Sequence, residues 1–241
     1  MYKYIIVLIS LNIFSPAQAL DAGQFPAYEA HYDLYKKGIS VANTSIKLRH
    51  IESGIEFSSY TYLTGFAAWL GDNKVREKSL LSNHNDILKL NSYEYIQQGD
   101  TEAHIQINLE QKNKIATTSI DKELIHKTPF ETVLWDKLSV TLDIMQFAKN
   151  TDVSGTIKNH SFNIINDGKI INYVLQYKGQ REIELDDDEW VMTQRWQSQR
   201  LHSKRKKIFY LAPSMNYLPA LIEQYKNEKL HTVLRLKQVN W

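Results

Sequence analysis

The chain has 241 residues, with 29 basic against 27 acidic side chains and a formal net charge of +2. This near balance lacks the strong basic excess of a nucleic-acid-binding protein, so we expect no nucleic-acid partner. The chain contains no cysteine, which excludes disulfides, thiol catalysis and the lipid-modified cysteine of a bacterial lipoprotein.

The first nineteen residues have the three-part order of a cleavable secretory signal. Lys3 is followed by a mostly apolar run over residues 4–14, a Ser-Pro break, and then Ala17 and Ala19, which fit the small-x-small cleavage rule. The run is shorter than the roughly 20 residues of a membrane-spanning helix, and no later segment sustains one. We therefore predict cleavage after Ala19, a periplasmic location, and a single β-rich domain over residues 20–241 without a transmembrane helix.

The first part of this domain shows period-two alternation of apolar and polar residues, the pattern of half-buried strands. It covers residues 28–35, 39–48 and 55–63, and turns are predicted at Lys37-Gly38 and Ser53-Gly54. In the second run the apolar register changes, as it does across a β-bulge. The three runs predict an antiparallel meander.

Residues 65–71 interrupt the alternation with an apolar segment bracketed by glycines. A short buried helix that plugs the sheet is the expected structure, because exposed apolar patches are rare in soluble proteins. The alternative is an exposed tip that faces a partner or a lipid surface. Strand patterns then resume over residues 75–82, 87–96 and 103–109.

One main helix is predicted from Thr128 to Lys149. Thr128, Pro129 and Glu131 have the spacing of a capping box with proline at the first helical position. The apolar stripe that follows consists of Leu134, Leu138, Leu142 and Met145. We expect this helix to lie against a curved sheet.

Alternation returns after the helix. Asp167-Gly168 predicts a tight hairpin between residues 162–165 and 170–177, because both central residues of such a turn need positive φ. Further strand patterns surround Ile183 and Trp196 and recur over residues 207–211, 218–225 and 230–239. The predicted fold class is mainly β: a single, strongly curved antiparallel sheet of about a dozen strands, a half-open barrel packed on one amphipathic helix.

No catalytic or metal-binding motif is found. The sequence has no Gly-rich phosphate loop, nucleophile elbow or paired-histidine metal spacing, so we predict no catalytic residue, metal or cofactor. Residues 186–189 gather four carboxylates, which suits calcium, but a solvated turn is favoured because the alternation and glycine of a calcium loop are missing.

A basic cluster over residues 204–207, with Arg195 and Arg200 nearby, fits anionic lipid head groups or lipopolysaccharide phosphates. The alternative, which we favour on the sequence alone, is a basic turn that blunts a sheet edge.

The C-terminal third contains three recognisable segments: Lys207–Pro213, the step Tyr217-Leu218-Pro219 within residues 216–224, and the closing strand over residues 230–239. In these segments the chain resembles the bacterial "domain of unknown function 3108" proteins. The segments 28–32, 135–139 and 177–179 look similar in order and spacing, whereas a glycine expected near Val41-Ala42 is absent. The resemblance implies an exported β-rich protein of Gram-negative bacteria, without a catalytic residue to transfer.

The leading functional hypothesis is a non-enzymatic periplasmic binding or carrier protein. A groove between the curved sheet and the helix would hold a lipid, an acyl chain or a lipoprotein segment. The residues predicted to line this groove are Tyr60, Tyr62, Phe66, Trp69, Trp135, Leu138 and Leu142.

Two other functions stay open. One is an envelope scaffold that binds a protein partner by strand addition to an exposed edge such as residues 230–239. The other is a hydrolase of an envelope polymer, which would need two carboxylates, or a serine and a histidine, in one cleft.

Overall fold

The strands of this chain form one sheet of fifteen strands in the computed structural model, which describes residues 25–84, 87–153, 159–185 and 189–241. The strands are β1 (Tyr28–Lys36), β2 (Ile39–Ile51), β3 (Gly54–Leu63), β4 (Lys74–His84), β5 (Ile87–Gln98), β6 (Ala103–Glu110), β7 (Ile115–Ile120), β8 (Glu123–Pro129), β9 (Leu134–Trp135), β10 (His160–Asn166), β11 (Lys169–Glu184), β12 (Trp190–Gln199), β13 (Arg205–Ala212), β14 (Leu218–Lys226) and β15 (Lys229–Asn240). The helices are α1 (Val140–Lys149) and the short 3₁₀ helices Gly65–Leu70 and Pro213–Met215.

The sheet is a long meander with one closing step. Its order is β8-β7-β6-β5-β4-β3-β2-β1-β15-β14-β13-β12-β11-β10-β9, so β1 pairs with the last strand, and β8 and β9 are the two edges. All neighbours are antiparallel except β9 and β10. The mainly β, unclosed sheet predicted above is confirmed, but it has fifteen strands rather than about a dozen.

The alternation of the sequence determines which face of the sheet is buried. In β1 the buried residues are Tyr28, Ala30 and Tyr32, which point to one face because successive side chains alternate. The predicted bulge lies at Val41, since Leu34 pairs with Ala42 while the next residue pairs with Ser40. The extra residue restores the buried register for the remainder of β2.

The sheet curls so far that its edge β8 approaches the β10–β11 hairpin. The Thr128 hydroxyl donates a hydrogen bond of 2.6 Å to the Gly168 carbonyl, across forty residues of sequence. A Cβ on Gly168 would also overlap the His126 side chain. The concave face therefore encloses an interior, as in a barrel, although β8 and β9 are not paired with each other.

Helix α1 lies in this interior and begins later than predicted. It spans Val140–Lys149, whereas Thr128 and Pro129 end strand β8, so the predicted start at Thr128 is wrong. The backbone of residues 123–129 pairs with β7 instead, which removes the proposed cap from the helix. Five of the ten helical residues are buried, namely Val140, Leu142, Ile144, Met145 and Ala148.

The true helix start carries a reciprocal cap. Asp136 Oδ1 accepts hydrogen bonds from the backbone N–H groups of Leu138 (2.7 Å) and Ser139 (2.9 Å). The Asp136 N–H donates to Ser139 Oγ at 3.2 Å, and that hydroxyl donates to Asp136 Oδ2 at 2.6 Å. This is the logic of a capping box, with aspartate and serine in place of the predicted residues.

Two sequence-based interpretations that need a sheet edge do not hold. Strand β15, proposed for strand addition, lies between β14 and β1, so both of its edges are already paired. Strand β13, which carries the basic cluster, lies between β12 and β14. The basic residues therefore do not blunt an edge.

The connections alternate between the two ends of the sheet because neighbouring strands are antiparallel. One end of the sheet carries the β1–β2, β3–β4, β10–β11, β12–β13 and β14–β15 connections. We call it the cavity end, because a cavity opens there. The β11–β12 connection is at the opposite end. None of the helices in the described ranges is long and apolar enough to cross a membrane. The predicted signal, residues 1–19, lies outside the described residues.

Candidate functional site

A cavity of about 900 Å³ opens at the cavity end, between α1 and the strands β10 to β15. Its volume is within the range of small-molecule sites, about 300 to 1,000 Å³. The cavity thus lies between helix and sheet, where the sequence analysis expected a groove, but a different set of residues lines it.

The floor of the cavity is apolar. Helix α1 contributes Val140 and Ile144, β10 contributes Phe162 and Ile164, and β13 contributes Phe209. All five are buried against the core. Because they come from three separate elements, the floor exists only when the helix is seated inside the sheet.

A second part of the lining is strongly basic. It is formed by the β12–β13 connection, the adjoining ends of β13, β14 and β15, and the turn before α1. The basic members are Lys137, Arg200, Lys204, Arg205, Lys206, Lys207, Lys226 and His231. Among the described residues that line the cavity, none is an aspartate or a glutamate.

Lys207 is the basic residue most affected by its surroundings. Water reaches it through the cavity, yet the surrounding protein desolvates its ammonium group and lowers its pKa. The charge of Glu77 opposes this shift, and the like charge of Lys137 adds to it.

One of the other basic residues is already paired. Lys206 Nζ lies 2.5 Å from Glu228 Oε2 and 5.3 Å from the centre of the Tyr225 ring. The Glu228 side chain is largely exposed, so this pair is of the exposed kind that contributes little to stability.

A second polar group lies deeper in the interior. The Tyr93 hydroxyl donates a hydrogen bond of 2.5 Å to Glu77 Oε1, and burial is the main cause of a raised pKa at Tyr93.

Asp136 is completely buried, and desolvation raises its pKa although hydrogen bonds from Ser139 act in the opposite direction. The cap of α1 is therefore a buried carboxyl that is costly to ionise.

This burial makes the effect of Asp136→Asn depend on pH. Asparagine keeps an oxygen that can accept the Leu138 and Ser139 N–H groups, but it carries no charge. Since the folded-state pKa of Asp136 is raised, the unfolded chain loses this proton at a lower pH than the folded protein does. The resulting loss of stability is complete above the folded-state pKa, shrinks as the pH falls through that pKa, and disappears below the unfolded-state pKa. We expect the free energy of unfolding of Asp136→Asn, relative to the unchanged protein, to be higher at pH 7 than at pH 4. Urea unfolding at both pH values measures this, and a pH-independent difference would contradict it.

The structure does not bring the seven predicted ligand-binding residues together. Tyr60 and Tyr62, whose rings are 5.6 Å apart, alternate with the buried face of β3 and point outward, where Arg76 lies over the Tyr60 ring. Phe66 and Trp69 are exposed on the 3₁₀ helix at the cavity end, so the expected burial of residues 65–71 is wrong for these two side chains. Trp135, Leu138 and Leu142 belong to the core. None of the seven lines the cavity.

Of the residues that line the cavity, the basic ones could be recognised in the sequence and the apolar ones could not. The basic cluster over residues 204–207 was identified together with a lipid head-group interpretation, and Arg200 was placed beside it. The apolar floor was not identified, because Phe162, Ile164 and Phe209 look like ordinary strand residues.

No group of three or more histidine, aspartate or glutamate side chains that could hold a metal occurs among the described residues. Residues 186–188 of the acidic cluster lie outside the described ranges. His160 is 2.7 Å from Asp143 and stacks on the Phe147 ring, which ties β10 to α1.

Comparisons with known proteins support the fold. No protein-family model and no curated protein matches the chain. A crystal structure of a "beta-barrel-like protein of domain of unknown function DUF1849 from Brucella abortus" is similar, with a TM-score of 0.56 over 89% of this chain and 97% of that one. The two sequences are 9% identical, so the similarity is one of fold alone.

Proposed function

We propose that this protein is a non-enzymatic exported binding protein for an amphiphile that has a hydrocarbon chain and an anionic head group. The observation that carries the proposal is the composition of the cavity: an apolar floor below a mouth of basic side chains, with no carboxylate among the described lining residues. Fatty acids and anionic phospholipids share this chemistry.

The floor suits the chain of such a ligand. Phe162 and Tyr173 stack with ring centres 5.9 Å apart, and they line the cavity together with Ile144 and Ile164. Each buried methylene contributes about 0.8 kcal/mol to binding. The driving force for the tail would come from here.

The mouth suits the head group. Arginine and lysine form charge-assisted hydrogen bonds with carboxylate and phosphate oxygens. Arg200, Lys204 and Lys207 approach from one connection and the strand that follows it, so their spacing is set by the backbone. A zwitterionic head group would gain less, because its own positive charge meets the same residues.

Export and family membership are part of the proposal. The signal-like order of residues 1–19 supports a periplasmic location, and the resemblance of residues 207–239 to the "domain of unknown function 3108" proteins supports an envelope role. The barrel-like fold of the similar Brucella abortus protein agrees with a ligand-holding interior. A hydrolase that uses paired carboxylates is disfavoured, because the described lining offers none.

Binding of lysolipids tests the proposal. We expect lysophosphatidylglycerol, below its critical micelle concentration, to bind more tightly than lysophosphatidylcholine of the same acyl length. The double variant Lys204→Glu/Lys207→Glu should weaken lysophosphatidylglycerol binding by at least about tenfold, since a lost charged hydrogen bond costs about 1.5 to 3 kcal/mol. Isothermal titration calorimetry measures both. A fatty acid of equal length, titrated in parallel, distinguishes carboxylate from phosphate recognition.

The matched control is Lys112→Glu, an exposed lysine in the β6–β7 connection that does not line the cavity. It makes the same kind of charge change without touching the cavity, so binding should be unaltered. Equal affinity for the two lysolipids, or equal loss in the control and the double variant, would overturn the proposal.

A further inference from the structure

The cavity end carries exposed apolar side chains on four separate connections. Phe66 and Trp69 on the β3–β4 connection are 73% and 89% exposed, and Leu201 on the β12–β13 connection is 80% exposed. Ile39 follows the β1–β2 turn and Leu230 follows the β14–β15 turn, and both are exposed. Transfer of these side chains from water into an apolar environment would be favourable.

Basic residues stand beside these tips. Lys36 and Lys37 precede Ile39, Arg200 and Lys204 flank Leu201, and Lys229 precedes Leu230. All five basic residues are exposed. Apolar and aromatic tips interspersed with lysine and arginine are the composition of segments that insert into the interface of an anionic bilayer.

We propose that the cavity end docks on an anionic lipid surface, with Phe66, Trp69 and Leu201 inserted among the head groups. The cavity mouth opens at this same end, so docking would place it against the bilayer. The docking goes beyond the proposed ligand and does not depend on whether the cavity is filled.

The arrangement favours a lipid surface over a protein partner. The apolar tips are single side chains on separate connections, and lysine stands between them, whereas the core of a protein interface is contiguous and depleted of lysine. A fluid layer of head groups accommodates dispersed tips and neutralises lysines at the same time. A surface charge of opposite sign adds about 1 kcal/mol per basic residue near it.

Vesicle binding tests the docking. The full chain should co-sediment with vesicles of phosphatidylglycerol and phosphatidylcholine, and bind phosphatidylcholine vesicles more weakly. The double variant Phe66→Ser/Trp69→Ser should lower the partition onto the anionic vesicles by at least about tenfold, because two apolar side chains no longer enter the interface. Leu201→Ser, on a different connection, should lower it in the same direction.

Trp190→Ser is the matched control, since Trp190 is an exposed tryptophan that begins β12 at the opposite end of the sheet. Its partition should equal that of the unchanged chain. Absence of binding to the anionic vesicles, or the same loss in the control as in the Phe66/Trp69 variant, would overturn the docking and point to a protein partner for this end.

Lysolipid titration of the Phe66→Ser/Trp69→Ser variant separates the two proposals, because neither residue lines the cavity. We expect unchanged affinity for monomeric lysophosphatidylglycerol. A parallel loss of lysolipid and vesicle binding would mean that these residues act on the fold or the cavity, and would refute a specific docking role.

Discussion

Replacement of Trp196 by alanine is expected to lower the free energy of unfolding by about 4 kcal/mol, near the middle of the range for buried aromatic-to-alanine changes. Trp196 is the largest of the fully buried side chains and lies on the concave face of β12. Its ring meets Phe147 of α1 edge-on at 5.6 Å and the Tyr177 ring of β11 at 5.1 Å. The substitution therefore leaves a cavity at the place where the helix is held to the sheet.

Chemical denaturation followed by circular dichroism measures this loss. Its matched control is Trp190→Ala, since Trp190 begins the same strand but is 59% exposed. The control should change the free energy of unfolding by less than about 0.5 kcal/mol. Similar losses in the two variants would show that Trp196 does not hold the helix as described.

Gly54→Ala is expected to destabilise the protein by roughly 2 to 6 kcal/mol, since backbone strain and overpacking each cost about 1 to 3 kcal/mol. Gly54 opens β3 with φ +138°, a conformation that alanine rarely adopts. A Cβ at this position would also lie 2.0 Å from the carbonyl oxygen of Leu81. The neighbouring strand β4 would have to move, because the obstructing atom belongs to its backbone.

Gly38→Ala separates strain from overlap. Gly38 also has a positive φ, of +80°, but no atom lies within 4 Å of a Cβ placed there. Only the conformational cost applies, so we expect a loss of about 1 kcal/mol. Thermal or urea unfolding of both variants gives the comparison, and equal losses would rule out the predicted collision with β4.

The strands could be predicted well because burial on one face leaves a period-two record in the sequence. The bulge at Val41 and the hairpin at Asp167-Gly168 followed from local chemistry, and both hairpin residues indeed have positive φ. Strands β7 and β8 were missed. β8 is almost entirely exposed, so it has no buried face to produce an alternation.

The helix shows where local signals compete. Thr128, Pro129 and Glu131 have the spacing of a capping box, yet the backbone of Thr128 pairs with β7. The cap that forms is made by Asp136 and Ser139. A capping box is a choice among local hydrogen bonds. Which of two candidate boxes forms depends on whether a neighbouring strand offers better partners, and that strand comes from elsewhere in the chain.

The candidate site divides in the same way. The basic run over residues 204–207 is contiguous, so its charge could be recognised from the sequence. The floor beneath it could not, because Ile144, Phe162 and Phe209 become neighbours only through the fold. The seven residues predicted to bind ligand were chosen as apolar or aromatic, and apolar character does not distinguish core, outer face and exposed tip.

The amino-acid sequence by itself determined the β-rich class, most strand positions, the tight turns and the basic cluster, because each depends on neighbouring residues and on a period of two. The tertiary structure decided the number of strands, the start of the helix, the interior position of β13 and β15, and the meeting of apolar floor with basic mouth. These depend on contacts between residues far apart in the chain, and their free energy is gained only when the whole sheet curls around the helix.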